Sequence, residues 1–194
     1  MATHAARKQD TRERLLQAGI EVFTTLGLEA ASARDIVKAS GLAQGSFYNH
    51  FRTKEDVFDA LVEPLVVEVR AAVAAAQREA ATAEAFLREG FRAYLGVIAA
   101  HPGALPLIER NLGRFRAHIE GSPSFQGLVD DIRANVETRQ REGMFRAFDA
   151  EWMAWSMVGT AVEVVLQADR RGRLELGAVT EFLVALFLPA VVAS

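Results

Sequence analysis

Eight consecutive residues, Gln44-Gly45-Ser46-Phe47-Tyr48-Asn49-His50-Phe51, bring together an amide, a hydroxyl, a phenol, a second amide and an imidazole. Phe47 and Phe51 are four apart, so on a helix they share one face and turn inward. That leaves Gln44, Gly45, Ser46, Tyr48, Asn49 and His50 to face outward. Short or planar polar groups of this kind reach base edges and phosphate oxygens, and a glycine lets the backbone approach closely. Tyr48 adds a ring for thymine methyl groups and a hydroxyl for phosphate. The chemistry is recognition by hydrogen bonding, with no bond made or broken.

Bond-breaking chemistry finds little support elsewhere. The four histidines, His4, His50, His101 and His118, lack metal-ligand spacing, and with no cysteine there is no thiolate nucleophile, disulfide framework or sulfur-rich zinc site. Neither a phosphate-binding loop nor a nucleophile elbow is present. The chain is therefore read as a non-enzyme without metal or cofactor. A small helical enzyme and a helical interaction protein that does not bind DNA are the competing readings, and the second leaves the outward Tyr48 unexplained.

Reading residues need a frame, and the flanking sequence supplies one. Apolar residues recur at spacings of three and four along almost the whole chain, which predicts an all-α protein. Leu15, Gly19, Val22, Phe23 and Leu26 stripe a first helix from about Thr11 to Leu26, and Gly27 followed by Leu28 reads as its left-handed stop. Ser32 with Asp35 forms a capping box for a short helix, Ala33 to Ser40, that Gly41 ends. The reading helix follows, Gln44 to about His50. Thr53 with Asp56 then opens a long helix in which Pro64 predicts a kink or a restart. Two short helices around a glycine turn, braced by a third, are the unit that lays its second helix in the major groove.

Charge follows the same division. Residues 1–54 hold eight basic side chains, all three lysines among them, against five carboxylates, whereas the remainder holds fourteen arginines against twenty. A basic head meeting phosphate and an acidic body is the pattern this predicts. The domains expected are residues 1–54 for DNA binding and 55–194 for the helical remainder. Hydrophobic residues make up 51% of the chain, enough for a sizeable core. The N-terminus lacks a signal-peptide pattern, and the longest apolar run, Phe182 to Ala193, is too short to span a bilayer. No membrane partner and a cytoplasmic location are expected.

Residues 11–58, TRERLLQAGIEVFTTLGLEAASARDIVKASGLAQGSFYNHFRTKEDVF, resemble the N-terminal signature of TetR-family regulators. The resemblance rests on Phe23 with Gly27, the Arg34-Asp35-Ile36 triplet, the Gly41 turn, the Phe47, Tyr48, His50 and Phe51 cluster, and Lys54 with Glu55. It implies that Ser32 and Arg34 touch the DNA backbone or a groove edge, that Gln44, Gly45 and Ser46 meet bases and phosphates, and that Tyr48, His50 and Lys54 meet phosphates. Two positions depart from the family pattern. Ala43 stands where a serine cap is usual, at a cost of about 1 kcal/mol, and Gln44 where a lysine is common.

For the remainder, the resemblance implies layout alone. Helices are expected at roughly 84–100, 105–119, 123–142, 150–170 and 178–192. The last is apolar on nearly every side, which requires burial within the body or between two chains. The family layout favours a homodimer built from the last two helices of each subunit, suited to a palindromic double-stranded operator. A small apolar or aromatic effector would lie among the preceding helices, against Phe91, Tyr94, Ile108, Leu112, Phe115, Phe125, Leu128 and Trp155. Asn111 and Glu163 would orient it, with His118 and Gln167 as further polar candidates. Together these imply a transcriptional regulator, by default a repressor, that a ligand releases from its operator.

Overall fold

The computed structural model describes residues 4–192, all of whose regular elements are α-helices, as the periodicity predicts. They are α1 (His4–Thr25), α2 (Ala33–Ser40), α3 (Gln44–Tyr48), α4 (Lys54–Glu79), α5 (Ala83–Ala100), α6 (Ala104–Arg110), α7 (Leu112–Gly121), α8 (Pro123–Arg141), α9 (Ala150–Arg170) and α10 (Leu176–Val191). Contacts divide the chain into two compact units. The first holds the chain up to Pro64 together with Gly103–Gly121, and the second holds Leu65–Pro102 and the chain from Ser122 onward. The sequence places a boundary at Lys54. The packing instead carries the first unit along α4 to Pro64 and adds α6 and α7 to it. α4 itself runs through Pro64 as one element.

In the first unit Leu15, Phe23, Ile36, Phe47, Val57 and Phe58 are fully enclosed, with Phe23 and Phe58 edge to face at 6.1 Å. α1 and α4 meet closely at Gly19, where a Cβ would fall 2.7 Å from Val57 Cγ1. Gly27, at φ +80°, reverses the chain after α1. The reversal turns Leu28 inward and leaves Leu26, counted on the apolar stripe, 44% exposed.

The single helix expected over 105–119 is two. At Asn111 the side-chain Nδ2 donates to the Leu107 carbonyl at 2.7 Å, the acceptor that the backbone N–H would take in a continuing helix. The Asn111 N–H turns instead to the Ile108 carbonyl. Local side-chain competition of this sort ends α6 and restarts the chain as α7.

In the second unit α10 packs along α5, and α8 along α9. Phe86 sits perpendicular to Phe145 at 5.1 Å, and Phe91 lies 5.8 Å from Phe187. Arg70 of α4 pairs with Asp131 of α8, its guanidinium occupying the space that Gly127 leaves without a Cβ. α10 buries Val179, Leu183, Val184, Phe187 and Val191 but leaves Phe182 54% and Leu186 48% exposed. Among the described residues no single helix is long and apolar enough to cross a membrane. Ala193, the end of the longest apolar run, lies outside them.

Candidate nucleic-acid interface

The interface starts with the elements that hold α3. Ser32 and Asp35 close the capping box at the start of α2: the Ser32 hydroxyl accepts from the Asp35 N–H, and the Asp35 carboxylate accepts from the Ser32 N–H at 2.9 Å. The Ser32 hydroxyl also donates to the Asp35 carboxylate at 2.6 Å, and that bond, followed by the one from the Ser32 amide, holds the Asp35 carboxyl below its ordinary range. At the far end Arg14 of α1 donates to the Ser40 carbonyl at 2.9 Å. Gly41, at φ +65°, turns the chain toward α3.

α3 begins at Ala43 with no side-chain cap, as its residue type predicts. It is shorter than expected, ending at Tyr48 with Asn49 as its C-cap. Phe47 is fully enclosed and Phe51 nearly so, which fixes the helix by its inner face. On the outer side Gln44, Gly45, Tyr48 and Asn49 are exposed, and Ser46 and His50 are half-buried. Tyr48 is 60% exposed although it is a large aromatic. Around Gly45 an added Cβ would meet nothing within 4 Å, so the protein's own packing does not require a glycine there. Ser32 and Arg34 are exposed at the start of α2.

Basic side chains border this face. Arg12 of α1 lies over the Phe51 ring, 5.5 Å from its centroid, a cation–π contact that holds its charge beside α3. His50 is held below its ordinary pKa of 6.5, first by desolvation and then by the positive charges of Lys8 and Arg12. Its ring is therefore neutral at neutral pH.

Lys54 occupies a different place from the outward residues. Its Nζ donates to the carbonyls of Leu28, Glu29 and Ala31 at 2.7, 3.2 and 2.9 Å. Its three ammonium hydrogens thus have protein acceptors in the turn between α1 and α2. Asn111 grips the same turn from α6: its Oδ1 accepts from the Leu28 N–H at 2.5 Å, and its Nδ2 donates to the Phe23 carbonyl at 3.1 Å. Both side chains serve the frame that presents α2 and α3. No local pattern marks these contacts, because the atoms they join lie 23 to 88 residues apart.

A charged cluster adds to this frame. His118 of α7 meets Asp59 through Nδ1 at 3.0 Å and Glu63 through Nε2 at 3.1 Å, and Arg114 pairs with Asp59.

The expected effector residues are divided between the two units. Ile108, Asn111, Leu112 and Phe115 belong to the first unit, whereas Phe91, Tyr94, Phe125, Leu128, Trp155 and Glu163 belong to the second. Asn111 and His118 are spent on the bonds just described. Trp155 is 39% exposed, and Glu163 lies on the outer side of α9 accepting from Gln167. Sequence reasoning passed over two polar residues of the second unit: Gln77, only 5% exposed, and Asn135, which donates to its Oε1 at 3.1 Å. No group of three or more acidic or histidine side chains among the described residues is placed to hold a metal ion.

Residues 15–61 match the model of the bacterial regulatory proteins of the tetR family. The HTH-type transcriptional regulator YvdT of Bacillus subtilis is 48% identical over 54 residues, 28% of each chain. The HTH-type transcriptional repressor KstR2 of Rhodococcus jostii is 32% identical over 96 residues, 47% of each chain. The matches thus span between about a quarter and a half of these two relatives. Beyond the N-terminal match the likeness is one of fold. The regulator FadR of Bacillus subtilis, solved in complex with stearoyl-CoA, superposes with a TM-score of 0.73 at 19% identity, covering 90% of this chain and 96% of that one. The N-terminal helix-turn-helix, residues 15–61, thus matches the tetR family model in sequence, and the chain as a whole is similar to such regulators in fold.

Proposed function

We propose that the protein is a homodimeric DNA-binding transcriptional regulator, a repressor that leaves a palindromic operator when a small, largely apolar ligand binds. The observation that carries the DNA-binding part is the outer face of α3, where an exposed Tyr48 stands among Gln44, Gly45, Ser46, Asn49 and His50 while Phe47 anchors the helix from within. Exposing a large aromatic to water brings no gain to an isolated helix. Against a groove it supplies apolar contact and a hydroxyl together. Ser32 and Arg34 add contacts to the sugar-phosphate backbone, and Lys54 supports the reading face by holding the α1–α2 turn.

A dimer is supported by the apolar face that α9 and α10 leave uncovered, which includes Trp152, Trp155, Phe182 and Leu186. Two heads are what a two-fold operator requires, its half-sites about 34–36 Å apart. The KstR2 relative is named a repressor, and the FadR neighbour was solved in complex with stearoyl-CoA. The first supports repression by this chain, and the second an effector with a long apolar portion. Pro64, where the division between the two units falls, is the proposed flex point of α4. The site of action is the cytoplasm, where the operator lies.

The test is a mobility-shift and anisotropy titration with the DNA upstream of the protein's own gene. Specific binding should weaken steeply between 50 and 200 mM salt, by about tenfold for every few phosphates contacted. Binding with no salt slope, or no preference for that DNA over random sequence, would overturn the reading.

A further inference from the structure

α1 starts about two turns ahead of the apolar stripe that predicts it, at His4 rather than Thr11. Lys8, Arg12, Leu15 and Gly19 follow one another at helical steps of four, three and four, so they share one face of α1. At Leu15 and Gly19 that face is sealed in the core of the first unit. Toward the N-terminus it leaves the core and becomes cationic, with Arg12 half-buried and Lys8 exposed.

The cationic stretch lies beside the reading helix. The Arg12 guanidinium sits 5.5 Å from the centroid of the Phe51 ring, which in turn is 6.0 Å from the ring of Phe47 and 6.4 Å from that of His50. Lys8 stands one turn further out. Its charge and that of Arg12 reach His50, where they add to desolvation in holding the ring below its ordinary pKa. Among the described residues neither Lys8 nor Arg12 makes a hydrogen bond or an ion pair through its side chain.

Most other basic groups of the head have acceptors or carboxylates beside them. Arg14 donates to the Ser40 carbonyl, and Lys54 to three carbonyls of the α1–α2 turn. Arg34 and Lys38 share the field of Asp35, and Arg52 that of Asp56. Arg7 lies off the Lys8 face, about 100° around the helix. α3 itself carries no cation. A duplex laid against its outer face brings a row of phosphates past its rim, and uncommitted cations there replace the condensed counterions. The match to the tetR family model begins at residue 15, so Lys8 and Arg12 lie ahead of it.

We propose that Lys8 and Arg12 form a phosphate clamp beside the C-terminal end of α3, gripping the DNA backbone irrespective of its sequence. The proposal rests on the reading of α3 as the groove-facing helix. It adds a second element that sets affinity and leaves base choice to α3.

The experiment uses the full-length protein and two duplexes of equal length, one from upstream of its own gene and one of random sequence. Anisotropy titrations run between about 50 and 200 mM salt. The double variant Lys8→Gln with Arg12→Gln should bind both duplexes about tenfold more weakly at the low end, with the preference between them unchanged. Its slope of log affinity against log salt should become shallower by about 2, roughly one for each lost phosphate contact. Lys8→Gln alone keeps Arg12 on the Phe51 ring and should change the slope by about 1, whereas Lys8→Arg should restore it. These single variants decide if the double variant fails to fold. Arg171→Gln with Arg173→Gln makes the same change of charge at the exposed turn between α9 and α10 and should leave the slope as it is. An unchanged slope in the Lys8 and Arg12 variants, an equal change in the Arg171 and Arg173 variant, or a loss confined to the upstream duplex overturns the proposal. A wild type that binds both duplexes without preference overturns the regulator reading instead, because the random duplex still reports the phosphate contacts. Binding to neither duplex overturns both.

Discussion

Tyr48 and Trp152 are exposed to similar degrees, 60% and 70%, on helices of opposite character. Tyr48 stands in a polar setting on a five-residue helix, its ring edge to face with the enclosed Phe47 at 5.3 Å and its outer side in water. Trp152 has Trp155 one turn further along α9, and α10 repeats the pattern with Phe182 and Leu186 four apart. The difference lies in what would cover each side chain. An outward phenol among amides and an imidazole suits a hydrated, hydrogen-bonding polymer, whereas apolar pairs at helical spacing suit a second apolar surface. Exposure alone therefore carries little information until its neighbours are named.

The most severe way to break that contrast is to charge the apolar face. Phe182→Asp should give a monomer in sedimentation at micromolar concentration and lower operator affinity by roughly 100-fold, because the second head no longer binds as part of one molecule. Its melting temperature should fall only by the amount due to lost dimerisation. A dimer that persists in Phe182→Asp and in Leu186→Asp would remove this face from the interface.

The next effect concerns the frame beneath Tyr48. Asn111→Ala removes the acceptor for the Leu28 N–H and the donors to the Phe23 and Leu107 carbonyls. Orphaning buried backbone groups in this way should cost about 3 kcal/mol in urea denaturation. Lys54→Met keeps the aliphatic stem but loses three carbonyl contacts, and should cost about 2 kcal/mol. Operator affinity should follow stability in both variants. A Lys54→Met protein of unchanged stability with weakened DNA binding would mean that the ammonium meets phosphate after all.

Tyr48→Ala should do the reverse, lowering operator affinity by about tenfold while melting within a degree or two of the wild type, since the ring is mostly in water. Equal affinity by anisotropy would leave its exposure without a purpose.

What the sequence made legible depended on how far each partner lay. The Ser32–Asp35 box, the bare Ala43 start of α3 and the bounds of α9 are written within a few residues, and all three are present. The break at Asn111 was not read because the apolar pattern continues through it, although the competing bond to Leu107 is local; only its second bond, to the Leu28 N–H, spans 83 residues. Lys54 looked like a phosphate cation because its carbonyl acceptors are supplied by a distant turn. Gln77 was hidden in an alanine-rich stretch, and its approach to Gly90 depends on the packing of α4 against α5. α10 was expected to be buried on every side, within the body or between two chains, because its composition is apolar throughout. Composition does not distinguish the face that meets α5 from the exposed one that carries Phe182 and Leu186.

The smallest expected effect tests the polar side of the contrast through His50. Desolvation, and then the charges of Lys8 and Arg12, hold its pKa below 6.5, so the unfolded chain binds this proton more tightly than the folded one does. Its contribution to stability is complete above pH 6.5 and is lost as pH falls through the lower, folded value. A phosphate brought beside His50 acts in the opposite direction, because its negative charge favours the imidazolium. Operator binding would then take up a proton, and affinity should rise as pH falls below neutral, by roughly two- to threefold between pH 7.5 and 6 at constant ionic strength. His50→Gln keeps a polar side chain but cannot titrate, so its affinity should stay level over the same range. Anisotropy titrations of both proteins measure the difference. A wild type as level as the variant would place His50 away from phosphate and leave Tyr48 and its amide neighbours to carry the contacts of α3.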